Sequence, residues 1–320
     1  MTLLNKNKIL LYSFVFSFGL ISSFSLPPYN LFYINFFSYP ALLWTLLFYS
    51  KDKIVSFNIG WIFGFGYFIS NLYWITNSLT FEDIFKPLIP FALILIPLFL
   101  GLFYGFSTLV FSFLNPQKNL LSILILATIL STFEYIRSFL FGGFPWNLIA
   151  FSFVNYLEFI QILSITGTYA FNSLVILLFF VPTILFFNYK KKIKISIFIF
   201  SISALFTNYF WGNSNLKQFE LAKKKDLGFN IKIISPKINI NRYFQNENPS
   251  EFILELINIS KPDPSIKTLF ILPEGILSSI YFEDLKKFKT LFSNNFSKKH
   301  KIILGININE KQKIYNSLLV

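Results

Sequence analysis

Long apolar runs, broken by short polar loops, fill the first two thirds of the chain. Seven stretches are long enough, or nearly so, to cross a hydrocarbon layer about 30 Å thick. They lie at 9–26, 31–49, 54–78, 88–114, 120–140, 160–188 and 193–211. Pro27 and Pro28 lead from the first run into the second rather than to a small-residue cleavage site, so the first run does not read as a removable leader. From about Asn213 the pattern changes, with charge spread throughout. Strand-like segments at 231–235, 268–272, 301–305 and 313–320 alternate with helical ones. One helix is expected from a cap at Ser250 through Ile259; the other carries Phe282, Leu285, Phe288, Phe292 and Phe296 at helical spacing. Such alternation predicts an α/β layered sheet. The expected organisation is a polytopic helical membrane bundle over 1–212, a linker over 213–228 and an α/β unit over 229–320.

Composition strengthens the membrane reading. Of 320 residues, 54% are hydrophobic and 21% aromatic, including 45 Phe, and the mean hydropathy is +0.58. An ordinary soluble domain is excluded. The formal charge of +13 forms no basic stripe, so nucleic acid is not an expected partner. Its placement instead sets topology, because Lys and Arg in short loops mark the cytoplasmic side. Lys6, Lys8, Lys51, Lys53, Lys118, Lys190, Lys191, Lys192 and Lys194 fall on one side; the opposite loops hold Lys86 and Arg137. The amino terminus is therefore expected inside, and the α/β unit outside the cytoplasmic membrane.

The chain has no cysteine and one histidine, His300. Disulfides, thiolate metal sites and a thiol nucleophile are absent from these residues, and neither a metal nor a cofactor is expected. His300, in the basic run SKKHK, reads as a solvated surface residue, as do Lys223, Lys224 and Lys225. Gly60 with Gly64, and Gly101 with Gly105, are small residues four apart, the spacing that lets membrane helices approach closely. In FEYIRSFLFGGFPWN (133–147), Glu134 and Arg137 stand three apart and are expected to pair on one helix face. Trp146 reads either as an interfacial anchor or as part of a lipid-binding cleft. In TLFILPEGILSSIY (268–281), a lone carboxylate, Glu274, follows an apolar strand. On an α/β sheet, sites lie beyond the carboxyl ends of strands.

Taken in order along the chain, these segments resemble the bacterial apolipoprotein N-acyltransferases. LPPYNLFYINFFSYPALLW, GWIFGFGYFISNLYWITNSL and IQILSITGTYAFNSLVILL are similar to that family's membrane segments. FEYIRSFLFGGFPWN resembles its Glu-Trp-Leu-Arg and Gly-Phe-Pro-Trp elements, with Tyr135 in place of the usual Trp. In the outer unit IKIISPKIN, LFILPEG and IYNSLLV resemble strands of a nitrilase-superfamily, αββα-sandwich domain. The resemblance implies that Glu274 is the general base of a Glu, Lys, Cys triad, and that Arg137, Pro145 and Trp146 help bind substrate. It implies a phospholipid acyl donor, a diacylglyceryl-modified apolipoprotein acceptor and an inner-membrane location. The Lys and Cys of such a triad have no counterpart here, and YNSLLV stops inside a strand pattern, so the sequence reads as truncated at Val320. Two other readings compete: an inactive membrane protein that binds lipid or a partner, and a small-solute transporter. The scarcity of ionisable residues in the spans and the lack of an inverted repeat count against the transporter.

Overall fold

The computed structural model describes residues 8–50, 52–222, 227–237, 248–311 and 313–320. Lys6, Lys51, Lys223, Lys224 and Lys225 lie outside the described residues, as does the end of the IKIISPKIN segment. The chain divides into two compact units, Met1–Ala222 and Lys223–Val320.

The first unit is helical. α1 is Lys8–Ser23, α2 Asn35–Tyr49, α3 Lys53–Asn71, α4 Ile89–Phe113 and α5 Leu120–Arg137. A short α6, Leu157–Ile160, precedes α7, Leu163–Phe180, and α8, Lys191–Leu221. Four helical segments among the described residues are long and apolar enough to cross a membrane: Asp83–Phe113, Leu120–Arg137, Leu163–Phe186 and Lys191–Leu221. Local signals set the starts. The Asp52 carboxylate caps α3 by accepting from the Val55 N–H at 2.8 Å, and Asn119 caps α5 in the same way through Ser122. α8 continues past Trp211 through Leu221, because the Asn, Ser, Lys, Gln and Glu residues there include no proline to stop it. Except for Gly212, no residue of α8 is fully buried, although the helix is rich in Ile and Phe. Such a surface suits contact with lipid rather than water.

The core is aromatic. Tyr39, Phe63, Tyr67, Phe68, Tyr104, Phe179 and Phe180 are fully buried in one cluster. The glycine spacing serves the close approach of α3 and α4: a Cβ built on Gly101 would lie 2.9 Å from the Phe65 nitrogen and 3.0 Å from the Trp61 carbonyl oxygen.

The second unit holds β1 Asn230–Ile233, α9 Pro249–Ser260, β2 Thr268–Ile271, β3 Leu277–Tyr281, α10 Lys289–Asn295, β4 His300–Glu310 and β5 Lys313–Leu319. β1 pairs parallel with β2 and β2 with β4, in the register Asn230 to Thr268 to His300. β3 joins β4 in parallel with a register irregularity, and β5 runs antiparallel to β4 with Asn307 opposite Asn316. Ile253, Leu256 and Ile257 of α9 pack on Leu304 and Ile306 of β4. Opposite residues such as Ile233, Ile314 and Leu318 are exposed, so one face of the sheet is apolar and bare.

Three local expectations are corrected. Asn248, not Ser250, caps α9: its carboxamide oxygen accepts from the Ser250 N–H at 3.1 Å, and Pro249 occupies the first helical turn. β3 was not expected, because the proline and two serines around its start hide its alternation. His300 is not a solvated residue at a helix end. It opens β4, half-buried, with Nδ1 accepting from the Ser297 N–H at 3.2 Å and Nε2 at 2.8 Å from the Asp263 carbonyl oxygen. Phe270 and Phe296 flank its ring edge to face.

Candidate functional site

Two groups of residues carry chemistry, one in each unit. In the helical unit, Glu134 and Arg137 stand one turn apart at the end of α5, both 1% exposed. They do not pair directly. The Glu134 carboxylate accepts from the Tyr104 hydroxyl at 2.9 Å and from the Asn172 amide at 2.5 Å. The Asn172 oxygen accepts from the Ala150 N–H at 2.9 Å, which ties α7 to the loop after α5. Tyr39 extends the chain to Tyr104, with 3.4 Å between hydroxyl oxygens.

Arg137 turns the other way. One terminal nitrogen donates to the Phe144 carbonyl at 2.7 Å and to the Trp146 carbonyl at 2.8 Å. Its guanidinium carbon lies 5.3 Å from the centre of the Phe68 ring. The expected direct ion pair is thus replaced by two separate sets of hydrogen bonds, Glu134 with α4 and α7 and Arg137 with the loop after α5. The loop that reaches Arg137 depends on glycine: Gly142 and Gly143 have φ of 89° and 84°, a region costly for other residues. They fold the chain back so that the Phe144 N–H also bonds the Arg137 carbonyl at 3.0 Å. Tyr67 holds the far end, donating to the Asn147 carbonyl at 2.9 Å.

Pro145 and Trp146 are exposed at the tip of this loop. Trp146 packs against Trp74, with ring centres 5.3 Å apart, and against Phe144 at 5.5 Å. Arg137, Pro145 and Trp146 therefore come together, but Arg137 is sealed beneath the other two. A separate apolar cavity of about 260 Å³ opens between α7 and α8, bordered by Phe171, Leu174, Phe200 and Ala204.

In the second unit, Glu274 follows the carboxyl end of β2. It is exposed rather than buried, and its Oε1 accepts from the Asn316 amide of β5. Gly275, with φ of 62°, turns the chain toward β3. A Cβ on Gly305 of β4 would lie 2.8 Å from the Glu274 Cα. The carboxylate is thus set by three strands: β2 delivers it, β4 supports its backbone and β5 supplies a donor. Among the described residues no cluster of His, Cys, Asp or Glu could hold a metal ion.

Tyr104, Asn172, Trp74, Gly305 and Asn316 escaped the sequence reading. Asn172 could have been found as an amide in an otherwise apolar span, where an unsatisfied polar group is costly. The pairing of Trp74 with Trp146, 72 positions apart, carries no local signal.

A membrane-helix bundle joined to a small, mostly parallel sheet, with an acid presented at a strand end, defines a membrane protein carrying an attached α/β unit. Residues 18–181 match the family model described as the apolipoprotein N-acyltransferase N-terminal domain. The chain belongs to the apolipoprotein N-acyltransferase family. It is 28% identical over 257 residues to the apolipoprotein N-acyltransferase of Agrobacterium fabrum, covering 77% of this chain and 47% of that protein. It is 27% identical over 256 residues to the protein of the same name from Brucella suis, with the same coverage. To that of Allorhizobium ampelinum it is 33% identical over 176 residues, 52% of this chain and 33% of the relative. The chain spans about half the length of the first two of these curated relatives.

Proposed function

We propose that the whole protein moves an acyl chain from a phospholipid to the N-terminal amine of a diacylglyceryl-modified apolipoprotein, with Glu274 as general base. The observation that carries this reading is Glu274 itself, presented beyond the end of β2 and fixed by Asn316 and the backbone above Gly305, in a chain of this family. A carboxylate on a strand end, held by a neighbouring donor, is pre-organised to take a proton.

On this reading the cysteine and lysine of the triad come from residues outside 1–320. Glu274 accepts the thiol proton, the thiolate attacks the ester carbonyl, and the lysine steadies the oxyanion. The proton passes to the departing lysophospholipid oxygen as the thioester forms. The lipoprotein amine then attacks the thioester and loses its proton to Glu274, which returns it to the departing thiolate and so restores the thiol. The helical unit has a physical role in this scheme. Taking a sixteen-carbon chain into water costs on the order of 12 kcal/mol at about 0.8 kcal/mol per CH₂, so donor and acceptor must meet at the bilayer. The bundle crosses the inner membrane seven times, with the amino terminus cytoplasmic and the sheet unit outside. A second sheet covers the bare apolar face, completing the αββα sandwich of a nitrilase-like domain. Arg137, Pro145 and Trp146 belong to the lipid-receiving end of the bundle.

The test is Glu274→Gln in the protein as expressed from its native reading frame, assayed for acyl transfer to a diacylglyceryl lipopeptide. Loss of transfer with unchanged folding is expected. Transfer at the wild-type rate would overturn the assignment.

A further inference from the structure

The buried arginine and the exposed tryptophan pair point to a division of labour in the helical unit. Arg137 is 1% exposed, whereas Trp146 and Trp74 are 52% and 39% exposed. A side chain so enclosed does not reach a lipid. It reaches two carbonyls of the loop that carries Trp146, at 2.7 and 2.8 Å. Charge-assisted bonds of this length are the stronger class, and both fall on one three-residue stretch. Trp74 comes from the 3₁₀ segment Tyr73–Thr80, which follows α3. With ring centres 5.3 Å apart, the indoles make one surface from two separate loops. Both loops lie at the end of the bundle away from Lys53 and Lys118, since α3 and α5 begin beside those lysines and finish at Asn71 and Arg137.

We propose that Trp74 and Trp146 form a two-indole platform that receives the ester and upper acyl region of a phospholipid, and that Arg137 is the positioning residue that holds it. Indole suits that depth, being flat and apolar with one polar edge, and it gathers where hydrocarbon meets headgroup. An ordinary interfacial anchor needs no fixed partner. This pair is held from the Trp146 side, by Arg137 and by the Tyr67 bond to Asn147. The inference rests on the lipid reading of the helical unit given above.

The test uses the 320-residue chain in nanodiscs, with Trp44, Trp61 and Trp211 replaced by Phe, so that fluorescence reports Trp74 and Trp146. A minor fraction of phosphatidylethanolamine brominated near the ester end serves as the quencher. Expected are quenching above that set by mole fraction and an exciton couplet from the paired indoles in circular dichroism. Arg137→Met should lose both, since removal of even one charge-assisted bond lowers the population of the held loop by roughly tenfold. Arg137→Lys should fall between, because one ammonium can still bond a carbonyl. Quenching that merely follows mole fraction in the parent chain would overturn the platform and remove this support for the lipid reading. Excess quenching and a couplet unchanged in Arg137→Met would overturn the positioning role alone. Should the Met chain not fold, Arg137→Lys decides: parent-like quenching and couplet overturn the positioning role, and partial loss of both supports it.

Discussion

Asn172 is the joint of the polar network within the helices, and its replacement by leucine tests whether that network holds the bundle together. The amide makes two bonds at once, donating to Glu134 at 2.5 Å and accepting from the Ala150 N–H at 2.9 Å. Asn172 and Ala150 are both buried, so water cannot replace either partner without opening the core. Leucine has the same branching and the same number of side-chain heavy atoms, so it leaves no cavity. The cost therefore comes from two stranded groups, at roughly 1–3 kcal/mol each, or about 2–6 kcal/mol together. Thermal unfolding in detergent micelles, followed by circular dichroism, should show a clear loss of stability for Asn172→Leu. Part of it should be recovered against a Glu134→Leu background, where one stranded group no longer exists, giving a coupling of about 0.5–3 kcal/mol. If Asn172→Leu costs less than about 0.5 kcal/mol, the size of an ordinary surface change, or if the two changes simply add, the network is not what joins α5 to α7.

Three further outcomes follow from the same geometry. Gly101→Val should destabilise the helical unit by about 1–3 kcal/mol, read as a lower Tm, because the new Cβ meets the α3 backbone at 2.9 Å and cannot turn away. Gly305→Ala should leave the sheet folded but slow acyl transfer in the whole protein by roughly tenfold to a hundredfold, since its Cβ pushes on the Glu274 backbone; an unchanged rate would show that the carboxylate position is uncritical. The Ser265 hydroxyl and N–H hold the Asp263 carboxyl below the usual carboxylate range. Stability from this group is present above the ordinary carboxylate range and is lost as pH falls through the lowered value. The difference in urea stability between the parent chain and Asp263→Asn should accordingly shrink in acid and persist at neutral pH.

What the sequence disclosed divides along physical lines. Periodicity and loop signals act over a few residues, so the helices and most strands could be placed from residue order alone. Gly60, Gly64, Gly101 and Gly105 announce close helix packing by their spacing, though not which helices meet, and Asp52 and Asn119 are signals within one turn of a helix start that the sequence also carried. Partners from distant segments leave no such trace. Glu134 and Arg137 looked like a pair because they are three apart. The actual partners arrive from α4, α7 and the following loop. His300 misled for the opposite reason: the lysines around it signal water, while Phe270 and Phe296, which flank its ring, come from β2 and the end of α10. In the candidate site, Glu274 was legible as an acid after an apolar strand, whereas its exposure and its bond to Asn316 depend on the pairing of β4 with β5.

Gly305 shows how the placing of one carboxylate can shape a residue on a neighbouring strand. Glycine in the middle of a strand costs about 0.5–1 kcal/mol relative to alanine, and Gly305 stands opposite Leu318 on the face of β4 away from Leu304 and Ile306. The position leaves room for the backbone of the next strand's turn: a Cβ would lie 2.8 Å from both the Glu274 Cα and the Gly275 nitrogen. Gly275 in turn adopts a left-handed φ of 62°, so the chain changes direction immediately after the acid. Both glycines serve one purpose, bringing Glu274 back over β4 to where Asn316, two residues before Leu318 on β5, can reach it. Strand stability is given up at 305 and backbone freedom at 275, and what is gained is a carboxylate whose place is set by backbone rather than by side-chain packing. In the proposed function, a base that meets a thiol and then an amine at the same point would need that constancy.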